Sequence, residues 1–443
     1  MLRRALYVGL LIGLCKVVSA MKEASLAAWI GVGDPLDIYL TAFIVPTTVI
    51  NIANTCLASS FIPQFQKLRL TGEENVHSFY SGVLVTNVFA TAGLGAFLAL
   101  GGPRMLALIA PGFPGWKVHA AGQCLLFLLP VITLSGLTLL WGAVLNSMKR
   151  FAVSQVAPSV TPLAILAMAL LVRPQRDPAI FLALATTGGA LLEATCVGLA
   201  LKRTGFQLWP SAPAWGASTR LVLREFGYLA SSNIAMAGVG IIQQAFAATC
   251  GSGGVATLSF GSKVPYMLTS ATTMALGTVV LPHFANLAAT HDWIGFRGTC
   301  LRYVIVSVCA LIPFTVLMVA LSPVTVRILF HRGAFTDADA ATVARLQTMY
   351  FLQLPFTIPG LIGTRVLITL KRNRQLLLVG VMNLMVAGLI TGWLVKMSGI
   401  AGIGLSSTLM YAIASCTVVY MAWSGLSSAV RTSACRAHAA FTY

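Results

Sequence analysis

Long apolar stretches alternate with short polar breaks along this chain, and each apolar stretch has the length of a bilayer-crossing helix. About 20 predominantly apolar residues suffice for a helix to cross the hydrocarbon core. Twelve windows meet that requirement, near residues 5–30, 38–63, 78–100, 120–147, 152–172, 179–201, 222–250, 256–286, 302–322, 340–370, 375–396 and 400–424. The pattern predicts an all-α polytopic membrane protein of about twelve transmembrane helices, followed by a short basic tail over 425–443.

The polar breaks orient these windows. With the amino terminus inside, the inner loops hold Arg3, Arg4, Lys67, Arg69, Lys149, Arg150, Lys202, Arg203, Arg220, Arg224, Arg297 and Arg372. The outer loops hold fewer cations, among them Arg104, Lys117, Arg173, Arg176 and Arg327. Cytoplasmic loops collect Lys and Arg, so the expectation is that both termini are cytoplasmic. The opening MLRRALYVGLLIGLCKVVSA imitates a secretory signal, but Lys16 interrupts it and many spans follow. It reads as the first span.

Composition points the same way. Hydrophobic residues make up 57% of the 443 and charged residues only 9%, against about 25% charged in an average soluble domain. Too few polar side chains remain to cover a water-facing globule. The excess of Lys+Arg (29) over Asp+Glu (11) follows from the loop bias and needs no nucleic acid. The nine cysteines are scattered without a CxxC pair and read as small buried hydrophobes. No ligand-spaced histidine pair appears, so no metal site is expected.

Sliding the chain against itself by 219 residues lays FIPQFQKLRLT (61–71) over VLPHFANLAAT (280–290), matching Pro63 with Pro282. The same shift matches Pro46 with Pro265, and a shift of 222 lays VLNSMKRF (144–151) over VLITLKRN (366–373). The expected division is a six-helix lobe over 1–201, an inter-lobe linker over 202–221 and a second six-helix lobe over 222–424. An even number of spans per repeat makes the two lobes parallel, an arrangement used by transporters with the substrate site between halves.

Charges inside spans are costly, by roughly 2.5–3.5 kcal/mol each on insertion scales, and ask for a function. Lys16 and Glu23 lie seven residues apart on nearly one face of the first span, with Lys22 to one side; Lys263 lies beside Pro265 in the eighth. Three ammonium groups with one carboxylate suit an anionic ligand such as a diphosphate, which lysine binds as a compact point charge. Asp37, at the outer end of the second span, is a candidate partner for one of these lysines or a candidate closer of an outer gate. The plainer alternative is that Lys22 and Glu23 neutralise each other while Lys16 snorkels. Glu193 in the sixth span has no evident partner. Pro46, Pro63, Pro265 and Pro282 are candidate hinges, since each frees a backbone carbonyl and can kink its helix. Asn233, Gln243, Gln244 and Asn383 read as interhelical hydrogen-bonding groups. No P-loop, HExxH or GxSxG occurs, so no cofactor is expected, and transport would draw on an ion gradient, the membrane potential or downhill substrate flow.

IAPGF (109–113), GAVLNSMKRFAVSQVAP (142–158), ALGTVVLPHFANLA (275–288) and LFHRGAFTDADA (329–340) resemble, in order, sequence blocks of the MviN/MurJ-type lipid II flippases of the multidrug/oligosaccharidyl-lipid/polysaccharide exporter superfamily. That family carries two cations six apart and then an acid in its first span, a spacing kept by Lys16, Lys22 and Glu23. Asp37 matches a family aspartate, and Lys263 a family arginine. The resemblance implies a V-shaped pair of six-helix lobes whose cationic central cavity receives a diphosphate-sugar head and moves it outward by alternating access. Three departures stand out: lysines replace the family's arginines, VINIANTCLASSF (49–61) lacks its span-2 charges, and twelve spans replace the usual fourteen. Some members hold sodium through carboxylates in spans 7 and 11, where this chain has only Asn and Gln.

The expected function is therefore a non-enzymatic flippase of the bacterial inner membrane for a polyprenyl-diphosphate-linked saccharide, foremost lipid II, with cell-wall or polysaccharide synthesis proteins as candidate partners. The same machine carrying another lipid-linked glycan, such as an exopolysaccharide repeat unit, is the nearest rival. A small-molecule/cation antiporter would favour an acidic cavity, and a non-transporting scaffold would not need inward charges.

Overall fold

The computed structural model describes residues 2–440 apart from 73–74, 173–175, 211–214, 290–292 and 371. Among the described residues there is no strand. The helices are α1 (Leu2–Ile30), α2 (Asp34–Thr71), α3 (Val76–Ile109), α4 (Gly115–Ser147), α5 (Phe151–Val156), α6 (Val160–Leu171), α7 (Pro178–Lys202), α8 (Ala217–Ala248), α9 (Gly254–Ala289), α10 (Trp293–Phe330), α11 (Asp337–Phe351), α12 (Leu354–Thr369), α13 (Asn373–Ser398) and α14 (Ala401–Ala440). Nine helical segments of the described residues are long and apolar enough to cross a bilayer, α5–α6 and α11–α12 each counting as one. In hydrocarbon every backbone polar group must find its partner inside the chain, and the helix is the element that does so within one segment.

Two windows that read as single spans are broken. Between α5 and α6 the chain tightens into a 3₁₀ turn at Ala157–Ser159, where Pro158 and Pro162 remove two helix donors. Between α11 and α12 it turns at Leu352–Gln353, ahead of Pro355. By contrast, α2 runs unbroken through Pro46 and Pro63.

The chain divides into two compact units. One comprises Met1–Ala237, Gly251–Ala256 and Leu329–Thr336; the other comprises Gly238–Cys250, Thr257–Ile328 and Asp337–Tyr443. In the first, α4 is the central helix, packed on α2, α3 and α7, while α1 lies against α5, the 3₁₀ turn and α6. Its core gathers Leu57, Phe61 and Phe65 of α2, Phe79 and Tyr80 of α3, Leu140 and Val144 of α4, and Val197 and Leu201 of α7. Phe61 stacks on Phe79 at 5.6 Å between centroids. The one polar strand through this core is satisfied: Trp141 Nε1 donates to Tyr80 Oη at 2.9 Å, and Tyr80 donates to the Leu208 carbonyl at 3.1 Å. Small residues let helices close up, as at Gly198 under the Trp141 ring.

In the second unit α14 is central, packed on α11, α12 and α13. Phe284, Phe296, Ile362, Val366 and Leu426 form its core. Tyr350 Oη donates to Gln243 Oε1 at 3.3 Å, and Ser407 to Gln353 Oε1 at 3.0 Å.

Lipid exposure and core burial predict opposite mutational responses for the same residue type. Phe61 is fully buried, whereas Phe89 is 74% exposed on a membrane-length apolar helix. Phe61→Ala is expected to cost about 3 kcal/mol, the low end for a buried phenylalanine, because lost packing rather than transfer from water dominates in lipid. Phe89→Ala is expected to leave the apparent melting temperature in detergent within error. Equal shifts for the two variants would refute this division between core and lipid face.

Candidate functional site

At the end of the first unit remote from the amino terminus, α1 stops at a glycine turn. Gly31 has φ +69°, and Gly33 precedes α2 as its N-cap. The first turn of α2 places Asp34 and Asp37 three residues apart, where negative charge complements the helix dipole. Both carboxylates take one cation: Lys117 Nζ lies 2.6 Å from Asp34 Oδ1 and 2.7 Å from Asp37 Oδ2. Lys117 belongs to the first turns of α4, which follow the IAPGF loop, and its ammonium also sits 4.1 Å from the centre of the Phe113 ring. Lys117 is 2% exposed and Asp37 is fully buried.

Asp37 is saturated with donors. Besides Lys117, it accepts the backbone N–H of Gly253 on Oδ2 at 2.8 Å and of Ala256 on Oδ1 at 2.7 Å. Those two N–H groups belong to the start of α9, where a helix has no internal acceptors for its first amides. Asp37 therefore caps a helix distant in sequence. Its separation from Ala256 is 219 residues, the repeat shift, so the carboxylate binds the residue that the repeat lays over it.

The segment 329–336 closes over the same region. Ala334 N donates to the Ala28 carbonyl in the last turns of α1 at 2.9 Å. Gly333 has φ +62°, and a Cβ there would run into the Ala28 carbonyl oxygen. Phe335 and Phe330 are buried against each other at 6.2 Å. The RGAF block (332–335) thus owes its glycine to both a left-handed conformation and a backbone approach too close for any side chain.

The span charges lie elsewhere. Lys22 and Glu23 form an ion pair at 2.8 Å, with Glu23 buried and Lys22 half-buried. Lys16 is exposed on α1. Lys263 is exposed on α9 and belongs to the second unit, whereas Lys16, Lys22, Glu23 and Asp37 belong to the first. The cation that Asp37 takes is Lys117, not Lys16 or Lys22. Of the candidate hinges, Pro46 and Pro265 are buried and Pro63 is exposed; the side chain of Pro282 lies outside the described residues. Asn233 Nδ2 donates within its own helix to the Leu229 carbonyl, and Asn383 Oδ1 is buried with no hydrogen-bond partner among the described residues. Among the described residues, no group of three His, Cys, Asp or Glu side chains has the arrangement of a metal site.

Lys117 counts in the sequence among the outer-loop cations, whereas the structure buries it between Asp34 and Asp37. A signal was present: two aspartates one turn apart at a helix start require a cation or several N–H donors once they are buried. Nothing in the sequence said which lysine would supply it.

Comparison with known proteins places the chain. The family model described as "Lipid II flippase MurJ" matches residues 26–442, a stretch that begins after Lys16, Lys22 and Glu23. A Synechocystis protein described as a probable lipid II flippase MurJ is 24% identical over 429 residues, covering 88% of this chain and 76% of that protein. The Burkholderia cenocepacia lipid II flippase MurJ is 23% identical, covering 77% of this chain and 68% of that protein. Among solved structures, a lipid II flippase MurJ in an inward closed conformation superposes with a TM-score of 0.81 at 16% identity, over 94% of this chain and 87% of that one. An inward-facing MATE multidrug transporter of the MOP superfamily gives a TM-score of 0.81 at 13% identity, over 95% and 96% of the two chains. The two structural likenesses establish a shared fold and do not separate the two activities.

Proposed function

Because the chain belongs to the lipid II flippase MurJ family, we propose that it is a membrane transporter that moves lipid II, a polyprenyl-diphosphate-linked saccharide, across the bacterial inner membrane by alternating access. The observation that carries this reading is the family match over residues 26–442. It is a transporter and not an enzyme: the substrate changes sides without a bond being made or broken. Both termini are placed in the cytoplasm, in keeping with the loop cations.

In this reading Lys16, Lys22 and Lys263 bind the diphosphate, and Glu23 holds Lys22 in place through the 2.8 Å ion pair. A carboxylate beside the lysine also lowers the net charge that the empty site carries in a low-dielectric setting. The Asp37 cluster closes the outer face, because it ties the first turn of α2 to the start of α9 with Lys117 held by both aspartates, while the RGAF block is bonded to the last turns of α1. Pro46, Pro63, Pro265 and Pro282 supply bending positions in α2 and α9 for the change between states.

Translocation of a fluorescent lipid II across liposomes containing the purified protein tests both parts. Each Lys→Ala substitution at 16, 22 or 263 is expected to slow translocation about tenfold, since a charge-assisted hydrogen bond to a phosphate oxygen is worth about 1.5 kcal/mol or more. Undiminished translocation by a correctly inserted triple variant would remove the lysines from the site. Mass spectrometry of lipids retained from the native bilayer identifies the cargo. A different diphosphate-linked glycan would keep the mechanism and change the substrate.

A further inference from the structure

The outer cluster and the span lysines leave unexplained an acid placed inside a membrane-length helix of the first unit, Glu193. Glu193 lies in the middle of α7, flanked by Leu191, Leu192 and Cys196, which are exposed. Among the described residues its partner is Thr161, whose hydroxyl donates to Glu193 Oε2 at 2.7 Å. One neutral donor is a poor substitute for water around a carboxylate, and the neutral acid is the form that hydrocarbon tolerates.

Its location is specific. Thr161 is the second residue of α6, two residues past the 3₁₀ turn Ala157–Ser159 and directly before Pro162. Pro162 has no N–H to give, so the carbonyl of Pro158 four residues earlier lacks its helix donor. A threonine hydroxyl in a helix reaches the carbonyl three or four residues back, which for Thr161 means Pro158 or Ala157. The contact is tight because Gly189, one turn before Glu193, brings α7 against α6; a Cβ there would lie 2.8 Å from the Thr161 Cα. The other side of the same break carries α1, which packs on α5, the 3₁₀ turn and α6 and bears Lys16, Lys22 and Glu23.

We propose that Glu193 is a proton-binding site, and that taking up and releasing a proton there switches the Thr161 hydroxyl between two acceptors and so drives the broken α5–α6 span on which α1 rests. When Glu193 is ionised, Thr161 donates to it across the 2.7 Å contact. When Glu193 takes a proton from outer water, the carboxyl O–H donates to Thr161 Oγ1. The hydroxyl then turns its own proton to the main-chain carbonyl left free by Pro162. The proton returns to water on the inner side, and no other reactant is consumed. This inference rests on the flippase reading only for what the proton drives; the binding site stands on the helix break.

Among the described residues of the elements packed on α7, no other ionisable group competes at this position. Of the elements packed on α7, α5, the 3₁₀ turn and α6 carry none. On α4, Lys117 is held by Asp34 and Asp37 of α2, His119 lies against Gln123, and Cys124 donates to the Ala179 carbonyl at the far end of α7. On α2, Tyr39 bonds Thr186 two turns away from Glu193, Cys56 is buried, and Lys67 and Arg69 are exposed in its last turns. On α7 itself, Cys196 is exposed and Lys202 ends the helix.

Two measurements on the full-length protein in liposomes decide the matter. The first is labelling by dicyclohexylcarbodiimide, a reagent for protonated carboxyls in apolar surroundings, read by peptide mass. Labelling of Glu193 is expected to fall steeply as pH is raised, and to rise severalfold in Thr161→Val at a given pH because the hydroxyl that steadies the ionised carboxylate is gone. Absent labelling, or labelling indifferent to pH, overturns the proposal whatever the protein transports. The second is translocation of fluorescent lipid II with and without an outside-acid gradient of about one pH unit, at clamped membrane potential. The wild type is expected to accelerate severalfold, up to about tenfold, the factor corresponding to the gradient's about 1.4 kcal/mol. E193Q is expected to keep a basal rate that ignores the gradient, and E193D to recover part of the response. A Glu193→Gln variant that responds as the wild type does would overturn the coupling. Failure of the wild type to move lipid II at all would count against the flippase reading, while the labelling result still judges the proton site.

Discussion

Replacing Lys117 with methionine is expected to be the most damaging single change outside the hydrophobic cores, lowering stability by about 3–5 kcal/mol. The side chain is similar in length and equally able to pass between the helices, so packing is nearly preserved and the charge alone is removed. What remains is a fully buried Asp37 carboxylate that keeps the N–H groups of Gly253 and Ala256 but has lost its cation, beside a second carboxylate on Asp34. Two like charges one helical turn apart then repel in a site with little water to screen them. The apparent melting temperature of the purified protein checks this directly. Lys117→Met combined with Asp37→Asn is the sharper test, because removing both charges is expected to recover part of the loss, with a coupling of about 0.5–3 kcal/mol. A double variant as damaged as the sum of the two single ones would mean that Lys117 matters for packing and not for its charge. In the reading that the cluster closes the outer face, Lys117→Met also shifts the population toward states in which Gly253 and Ala256 are released. A faster reaction of Cys250, the neighbour of this segment, with thiol reagents is the expected sign.

The second large effect is expected at Gly333. A valine there must adopt φ near +62°, a conformation that costs an ordinary L-residue roughly 1–2 kcal/mol and a β-branched one more. Its Cβ must also displace the Ala28 carbonyl oxygen, carbon and Cα, all of which are backbone and have nowhere to rotate. Moving them breaks the Ala334 N–H bond to that same carbonyl. The summed cost is expected to exceed about 3 kcal/mol, with Gly333→Ala less severe but still strongly destabilising. The contrast that isolates the mechanism is Gly72, which has φ +67° at the end of α2 and open space around its missing Cβ. Gly72→Ala is expected to cost only the conformational part, about 1 kcal/mol. If Gly333→Ala and Gly72→Ala shift the melting temperature equally, the close approach to α1 contributes nothing and the argument from the RGAF block fails.

These two sites show where reading the chain stops. Apolar windows specify helices because hydrocarbon leaves the backbone no other partner, so the all-helical membrane class and the family blocks could be read in one dimension. The breaks at Ala157–Ser159 and at Leu352–Gln353 depend on local proline placement, and the prolines were visible; that α2 passes Pro46 and Pro63 without stopping was not. The repeat shift of 219 residues was also legible, but only as an equivalence between positions. That Asp37 binds the N–H of its own equivalent, Ala256, is a statement about two points meeting in space, and sequence spacing carries no such information.

The sequence by itself determined the membrane class, the helical content and the presence of charges that hydrocarbon would otherwise expel. It also placed Asp34 and Asp37 on one turn and Glu193 inside a span. Only the tertiary structure decided which partners those charges received: Lys117 for the two aspartates, Lys22 for Glu23 and the Thr161 hydroxyl for Glu193. The physical reason is range. Hydrophobic patterning acts on each segment independently and is written residue by residue, whereas a buried charge is stabilised by a handful of atoms within about 3 Å, supplied by whichever distant segments the packing brings there.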